Sequence, residues 1–275
     1  MANAPKPTTV TKESSSASNL FATLVIPICI IIGICLYKFV LGDPNNFIDN
    51  NPEMGPKVGN YAGMAYKGGV IVPILMGMLL MVFVFSVERF IVIGKATGSG
   101  SLDAFVKKIQ GLLSNNNIEA AMAECDKQKG SVANVIKSGL KKYREMEVEA
   151  NMDTDQKCLA IQKDIEEATT LEMPMLEQNL TVVATLVSVG TLTGLLGTVT
   201  GMIKAFGGLA TSGAPDQAAL ASGISEALIN TATGICTSTI AIIMYNILTS
   251  KIDKLTYAID EAGFSIIQTY ASTHK

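Results

Sequence analysis

The chain has 275 residues, of which 48% are hydrophobic and only 16% charged, with a net charge of -3 and a mean hydropathy of +0.36. That balance is too apolar for an ordinary water-soluble domain of this length and predicts a membrane protein. It also gives no ground for nucleic-acid binding, because no basic, aromatic-rich surface is present to meet a phosphate backbone.

Residues 1–19 form a tail that carries Lys6 and Lys12. The apolar run 20–41, from Leu20 to Leu41, follows it. A basic tail before an apolar run is also the pattern of a signal peptide. Here the run exceeds the usual signal core of about 7 to 15 residues, and no small-x-small cleavage site follows it. The chain instead continues with Tyr37, Lys38 and Phe39, an interfacial anchor, so the run is read as a retained transmembrane helix. The segment 42–68 contains Pro44, Pro52 and Pro56 among Asn and Gly residues and is expected to be irregular.

A second span is predicted over 69–93, a third over 180–209 and a fourth over 218–250, joined by a short link at 210–217. Each reaches the roughly 20 residues that a helix needs to cross about 30 Å of hydrocarbon. The last two exceed that requirement and are expected to project into water. The fold class is therefore all-α: a polytopic membrane protein with four transmembrane helices, whose long helices extend into a helical domain.

That domain is predicted over 94–179. Ser101 precedes an amphipathic run with Phe105, Ile109, Leu112 and Leu113 on one face, and Asn117 is placed to cap a second run through Ile118, Ala121, Met122 and Cys125. A third run covers Val132 to Val148. A charged helix from Asp153 leads toward the third span, with Pro174 expected to kink it. The stretch holds Lys95, Lys107, Lys108, Lys127, Lys129, Lys137, Lys141, Lys142, Arg144, Lys157 and Lys163, whereas the link 210–217 holds no Lys or Arg. By the positive-inside rule the large stretch is cytoplasmic, and so are both termini, including a tail at 251–275 with Lys251 and Lys254.

The third and fourth spans differ from lipid-facing helices. Gly190, Gly194, Gly197 and Gly201 recur on one face of the third, flanked by Thr191 and Thr198. Gly223, Ala227, Thr231, Gly234, Ser238 and Ala241 recur on the fourth, beside Glu226, Asn230, Thr233 and Thr237. Small residues let membrane helices approach closely, and polar groups at membrane depth need partners or water. Glu226 lies about nine residues, or roughly 13 Å, into its helix, and is the only acid well inside a predicted span. Two roles stay open for it: a hydrogen-bonded structural element, or a group facing an aqueous cavity and taking part in ion movement. Thr198 and Thr231 lie roughly 16 and 21 Å from the same membrane face and can share a layer. Their hydroxyls can pass a proton or replace part of a cation's hydration shell. Alternatively each bonds the carbonyl one turn back in its own helix. The ion-path candidates are Thr198, Glu226 and Thr231, with Asn230 and Thr233 beside them; Gly190, Gly194, Gly197, Gly201, Gly223 and Gly234 are the packing candidates.

Covalent chemistry finds no footing. The only histidine, His274, is the penultimate residue, so neither a His-based triad nor a histidine metal site is predicted. Cys29, Cys35, Cys125, Cys158 and Cys236 contain no CxxC pair and read as small buried thiols. No phosphate-binding or dinucleotide fingerprint occurs, and no cofactor is expected.

The sequence Gly194-Leu-Leu-Gly-Thr-Val-Thr-Gly-Met-Ile203 resembles the signature of a core helix in the MotA/TolQ/ExbB proton channel family. Gly223-Ile-Ser-Glu-Ala-Leu-Ile-Asn-Thr-Ala-Thr-Gly234, continuing to Tyr245 and Asn246, resembles that family's final helix. With Glu88 and Arg89 at the inner end of the second span, the similarity covers roughly Val70 to Lys254 and is nearest to ExbB and TolQ. The resemblance implies a bacterial inner-membrane homopentamer surrounding the membrane helices of a dimeric ExbD-like or TolR-like partner. That single-helix partner supplies an aspartate, and ion flow past it drives motion passed to TonB or TolA. It also places Thr198, Glu226 and Thr231 where ExbB-like proteins carry functional polar residues. The span 20–41 is an addition to the three-helix ExbB pattern, and Asn230 and Lys204 depart from it as well. A motor subunit energising outer-membrane transport, a motility stator and a non-conducting scaffold are the function classes left in play.

Overall fold

The computed structural model describes residues 13–211 and 217–274; Lys6, Lys12 and the centre of the predicted link lie outside the described residues. Every regular element among them is helical, and four helices are long and apolar enough to cross a membrane. The candidate spans lie within the stretches Leu20–Leu41, Ile71–Ser114, Leu180–Gly207 and Leu220–Thr273. The chain divides into two compact units, residues 1–84 with 182–242 and residues 85–181 with 243–275.

In the first unit α1, Glu13–Leu36, passes into a π-helical turn at Tyr37–Leu41. Two glycines let it approach α3, Ile71–Thr97. A Cβ on Gly33 would lie 2.6 Å from the Pro73 carbonyl oxygen, and one on Gly77 3.0 Å from the Ile30 Cα. Backbones packed this closely gain dispersion contacts that Leu side chains would forbid.

The segment between α1 and α3 was expected to be irregular, yet it is folded. Three short 3-10 turns lead into α2, Tyr61–Tyr66, which Asn60 caps by accepting from the Gly63 amide at 3.0 Å. Phe47 is fully buried with its ring edge on Tyr66, and Tyr66 stacks on Tyr37 at 4.7 Å. The Tyr37 hydroxyl donates to the Tyr66 carbonyl at 2.8 Å. Three aromatic side chains thus supply a local core that periodicity could not reveal, because they come from three separate elements rather than from one helix face.

In this unit α8, Leu180–Thr211, packs against α9, Gln217–Thr273. A Cβ on Gly194 would lie 3.0 Å from the Gly234 Cα, one on Gly201 2.9 Å from the Ala227 nitrogen, and one on Gly223 2.8 Å from the Gly201 oxygen. Gly190 faces Ser238, and Gly197 faces the Asn230 side chain. All six packing candidates therefore occupy one antiparallel seam. Gly234→Val would drive a methyl group into the Gly190 carbonyl and the Gly194 Cα, each 2.8 Å from the Cβ position. We expect it to cost about 3 kcal/mol or more by overpacking, whereas Gly94→Ala, whose Cβ meets nothing within 4 Å, stays neutral. Thermal unfolding of the two detergent-solubilised variants checks this.

The second unit is a helical bundle built from α4, Leu102–Ser114, α5, Ile118–Gln128, α6, Gly130–Val148, and α7, Thr154–Glu177, with the adjoining parts of α3 and α9. Ser101 caps α4, Asn117 caps α5, and Asp153 and Gln156 form a reciprocal capping box on α7. Phe105, Ile109, Ile136, Leu140, Ile161 and Ile259 are among its buried core. Residues 251–273, expected as a tail, continue α9 instead. Ile252, Leu255, Ile259, Ile266 and Tyr270 are buried there, and the Tyr270 hydroxyl donates to the Met146 carbonyl at 2.8 Å. At 57 residues α9 is about 85 Å long, so much of it lies beyond about 30 Å of hydrocarbon.

All five cysteines are free thiols, although Cys35 and Cys236 are exposed in the single chain rather than buried. Burial pushes the Cys125 thiol up to about 12, with Asp126 adding to the effect. The thiolate is then nearly absent at neutral pH. Cys125 is expected to resist alkylation at pH 8 in the folded protein and to react in denaturant, as peptide mass spectrometry would show.

At the junction of α7 and α8 the helix breaks around Gln178 and Asn179, just after Pro174. Arg89, 2% exposed, closes this break. Its guanidinium forks onto both carboxylate oxygens of Glu88 and donates to the Met175 and Leu176 carbonyls at 2.9 and 3.3 Å. Those carbonyls belong to the last turn of α7, where intrahelical donors run out and the helix dipole favours a cation. Asn179 adds a donor to Glu88 at 3.3 Å.

Candidate functional site

The polar residues of α8 and α9 meet in a regular ladder. Thr191 on α8 donates to Ser238 on α9 at 2.8 Å, and seven residues along each helix the hydroxyls of Thr198 and Thr231 hydrogen-bond each other. Further along, the Lys204 ammonium lies 2.7 Å from a carboxylate oxygen of Glu226. Seven residues are nearly two helical turns, about 10.5 Å, so an antiparallel pair in fixed register returns facing side chains at that interval. The glycine seam holds the helices close enough for hydroxyls on short side chains to reach across.

Both geometries considered for the threonines are present at once. Thr198 lies 3.3 Å from the Gly194 carbonyl and Thr231 3.2 Å from the Ala227 carbonyl, each one turn back in its own helix. A hydroxyl has one proton and two lone pairs. One member of the pair can therefore donate across the seam while the other donates to its own backbone, and exchanging the roles reverses the direction of the cross-helix bond. This two-state hydroxyl pair is half-buried.

The other candidates separate from it. The Thr233 hydroxyl bonds only the Ile229 carbonyl, at 2.8 Å, within its own helix. Asn230 is fully buried against Gly197, and its amide nitrogen donates to the Gly68 carbonyl at 2.9 Å, tying α9 to the chain before α3. The Asn230 carbonyl oxygen has no hydrogen-bond partner among the described residues. Among the described residues no hydrogen bond joins Glu226 to the threonine pair. Glu226 lies against Lys204 and Gly69, and Gly69 has a φ of +75° and lacks the Cβ that would overlap the carboxylate. The side chain of Glu226 is 13% exposed and that of Lys204 60%.

Two features escaped the sequence reading. The Thr191–Ser238 pair becomes visible only with the register, because 191 and 238 lie seven residues from 198 and 231 in opposite directions. Lys204 departs from the ExbB pattern in sequence, but only the alignment of the two helices assigns it to Glu226 as a counter-charge.

The family model of the MotA/TolQ/ExbB proton channel family matches residues 127–261, which hold the whole of this ladder. Glu88, Arg89, α1 and the folded segment before α3 lie outside that match. The Tol-Pal system protein TolQ of Pseudomonas aeruginosa is 31% identical over 156 residues, covering 56% of this chain and 67% of TolQ. A putative biopolymer transport protein, ExbB-like 3, of Synechocystis is 30% identical over 112 residues, 40% of this chain and 53% of the relative. The biopolymer transport protein ExbB of Pseudomonas putida is 33% identical over 86 residues, 31% of this chain and 26% of that protein. With four helices able to span a membrane and a relative aligned over two thirds of its length, the chain belongs to the MotA/TolQ/ExbB proton channel family.

Proposed function

We propose that this protein is an ExbB-like subunit of an inner-membrane, proton-driven motor. With an ExbD-like single-helix partner it converts the proton motive force into mechanical work on a TonB-like protein, for active transport across the outer membrane. Both termini and the helical bundle face the cytoplasm in this reading, and the chain assembles as a homopentamer around the partner's membrane helices.

The observation that carries the reading is the Thr198–Thr231 hydroxyl pair, set between two glycine-packed helices at membrane depth. It can pass a proton by exchanging donor and acceptor roles, but it has no pKa near the working range and cannot hold one. The apolar runs 20–41, 69–93, 180–209 and 218–250 contain no aspartate. The acid the chain does carry at this depth, Glu226, is paired with Lys204, and in this reading a partner aspartate supplies the titrating group that completes a relay through the layer.

The test is reconstitution with the single-helix partner in liposomes, followed by proton flux under an imposed gradient and a parallel sodium measurement. The expected result is flux that needs both proteins and disappears when the partner's membrane aspartate becomes asparagine. An assembled complex that conducts neither ion would count against a motor and for a scaffold.

A TolQ-type role in envelope maintenance is the second reading. It is favoured by the longer alignment, 156 residues with TolQ against 86 with the Pseudomonas putida ExbB. Complementation separates the two: restored uptake of an iron chelate supports the ExbB-type role, and restored detergent resistance supports the TolQ-type role.

A further inference from the structure

Lys204 interrupts an apolar face. Leu192, Leu196, Val199, Ile203 and Phe206 are all exposed along α8, as lipid-facing side chains should be, and Lys204 stands beside Ile203 with its own side chain 60% exposed. Lys204 lies five residues from the end of the run 180–209, and a charged side chain on a lipid-facing surface is costly unless it is paired or reaches water. Here the cost is offset because its ammonium lies 2.7 Å from Glu226. Among the described residues no other ion pair involves either side chain.

The two partners are held unequally. Glu226 is nearly buried, wedged on one side by Gly69, whose missing Cβ makes the space it occupies. Gly69 also lies two residues before the first residue of α3, where a helix N-terminus favours a carboxylate. Lys204, by contrast, reaches the carboxylate from the exposed side on a flexible four-carbon stem. The carboxylate is the enclosed member of the pair and the ammonium the accessible one. Glu226 is five residues from Thr231, about 7.5 Å along α9, so the pair is the next polar station beyond the hydroxyl layer.

Resting on the reading of α8 and α9 as an ion path, we infer that Lys204 is a built-in counter-cation for Glu226 that sets how strongly the path binds its transported cation. At rest the ammonium occupies the carboxylate. An incoming cation binds Glu226 only as the ammonium swings to its exposed side, so the net charge at this station is kept close to neutral throughout. Lys204 is in this sense a specificity-determining residue: it weakens cation binding and prevents Glu226 from becoming a trap.

Two readouts test this, and only one depends on transport. In the first, the full chain in detergent, without partner, is treated at a single pH with a hydrophobic carbodiimide, and modification of Glu226 is followed by peptide mass spectrometry. Lys204→Gln is expected to raise the labelling rate about tenfold, Lys204→Arg to leave it unchanged, and Glu226→Gln to give only background. In the second, flux through the reconstituted complex is measured against cation concentration, where Lys204→Gln is expected to lower the half-saturating concentration about tenfold. Unchanged labelling and unchanged half-saturation in Lys204→Gln overturn the inference. Faster labelling in a complex that conducts no ion upholds the pairing and counts against the motor reading. Should Lys204→Gln fail to assemble, Lys204→Gln with Glu226→Gln removes the stranded charge and is expected to restore assembly. Failure to restore it overturns the pairing.

Discussion

Thr231→Val is expected to reduce ion flux through the partner-bound complex at least tenfold while the protein folds and assembles normally. Val fills the volume of Thr, so the seam between α8 and α9 keeps its packing. Thr198 retains the Gly194 carbonyl at 3.3 Å as an acceptor and is not left unsatisfied. Interhelical hydrogen bonds in membranes contribute about 0.6 kcal/mol on average, which is too little to unfold a protein with this many packed glycines. The relay loses more, because an incoming proton meets a methyl group where it needs a lone pair. A tenfold loss of rate corresponds to about 1.4 kcal/mol of barrier. Thr198→Val should match it, and the double variant should be no worse than either single, since the two hydroxyls act as one unit. Thr231→Ser keeps the hydroxyl and should keep flux. Thr233→Val should change little, because its hydroxyl bonds only its own helix. Proton flux in liposomes, with oligomer mass measured by light scattering, gives both halves of the result. Full flux in Thr231→Val would remove the hydroxyl layer from the path.

Arg89→Ala is expected to act on the fold instead, lowering stability by about 3 to 5 kcal/mol, the cost of breaking a buried ion pair by removing one member. Three groups lose a donor together: the Met175 and Leu176 carbonyls, and the Glu88 carboxylate, which keeps only the Asn179 amide at 3.3 Å among the described residues. The carbonyls are the open end of α7 at its junction with α8, so the loss falls where the chain turns between helices. Arg89→Lys should recover only part of it, because an ammonium cannot fork onto a carboxylate and reach two carbonyls together. Arg89→Leu with Glu88→Leu should be better tolerated than Arg89→Ala, since no charge is then stranded. Chemical unfolding in mild detergent, scored by loss of helix signal, ranks the four proteins. Equal stability of Arg89→Ala and the parent would show that water satisfies these carbonyls.

The parts of this fold that were legible in the sequence are those governed by local rules. The four apolar runs are long enough to cross a bilayer whatever surrounds them, because backbone groups in hydrocarbon must be satisfied within a helix. Caps at Ser101, Asn117 and Asp153 could be anticipated, since a side-chain oxygen needs only the amide three residues on. The glycine stripes announced a close helix contact for the same reason: period and residue size are both written in the chain. The continuation of α9 past residue 250 is not legible in the sequence, because the charged residues Lys251, Asp253 and Lys254 mask the buried row of Ile252, Leu255 and Ile259.

By itself, the sequence determined the helical class, the number of runs able to span a membrane and the polar residues carried at membrane depth. Only the tertiary structure decided which of those polar residues meet. The register of α8 against α9 pairs Thr198 with Thr231 and Lys204 with Glu226, and it buries Asn230 under Gly197. A shift of one residue would rotate a facing side chain by about 100° around its helix, so pairing depends on backbone contacts made along the whole seam. No pattern within either helix encodes that alignment. It follows from where glycine allows two backbones to touch.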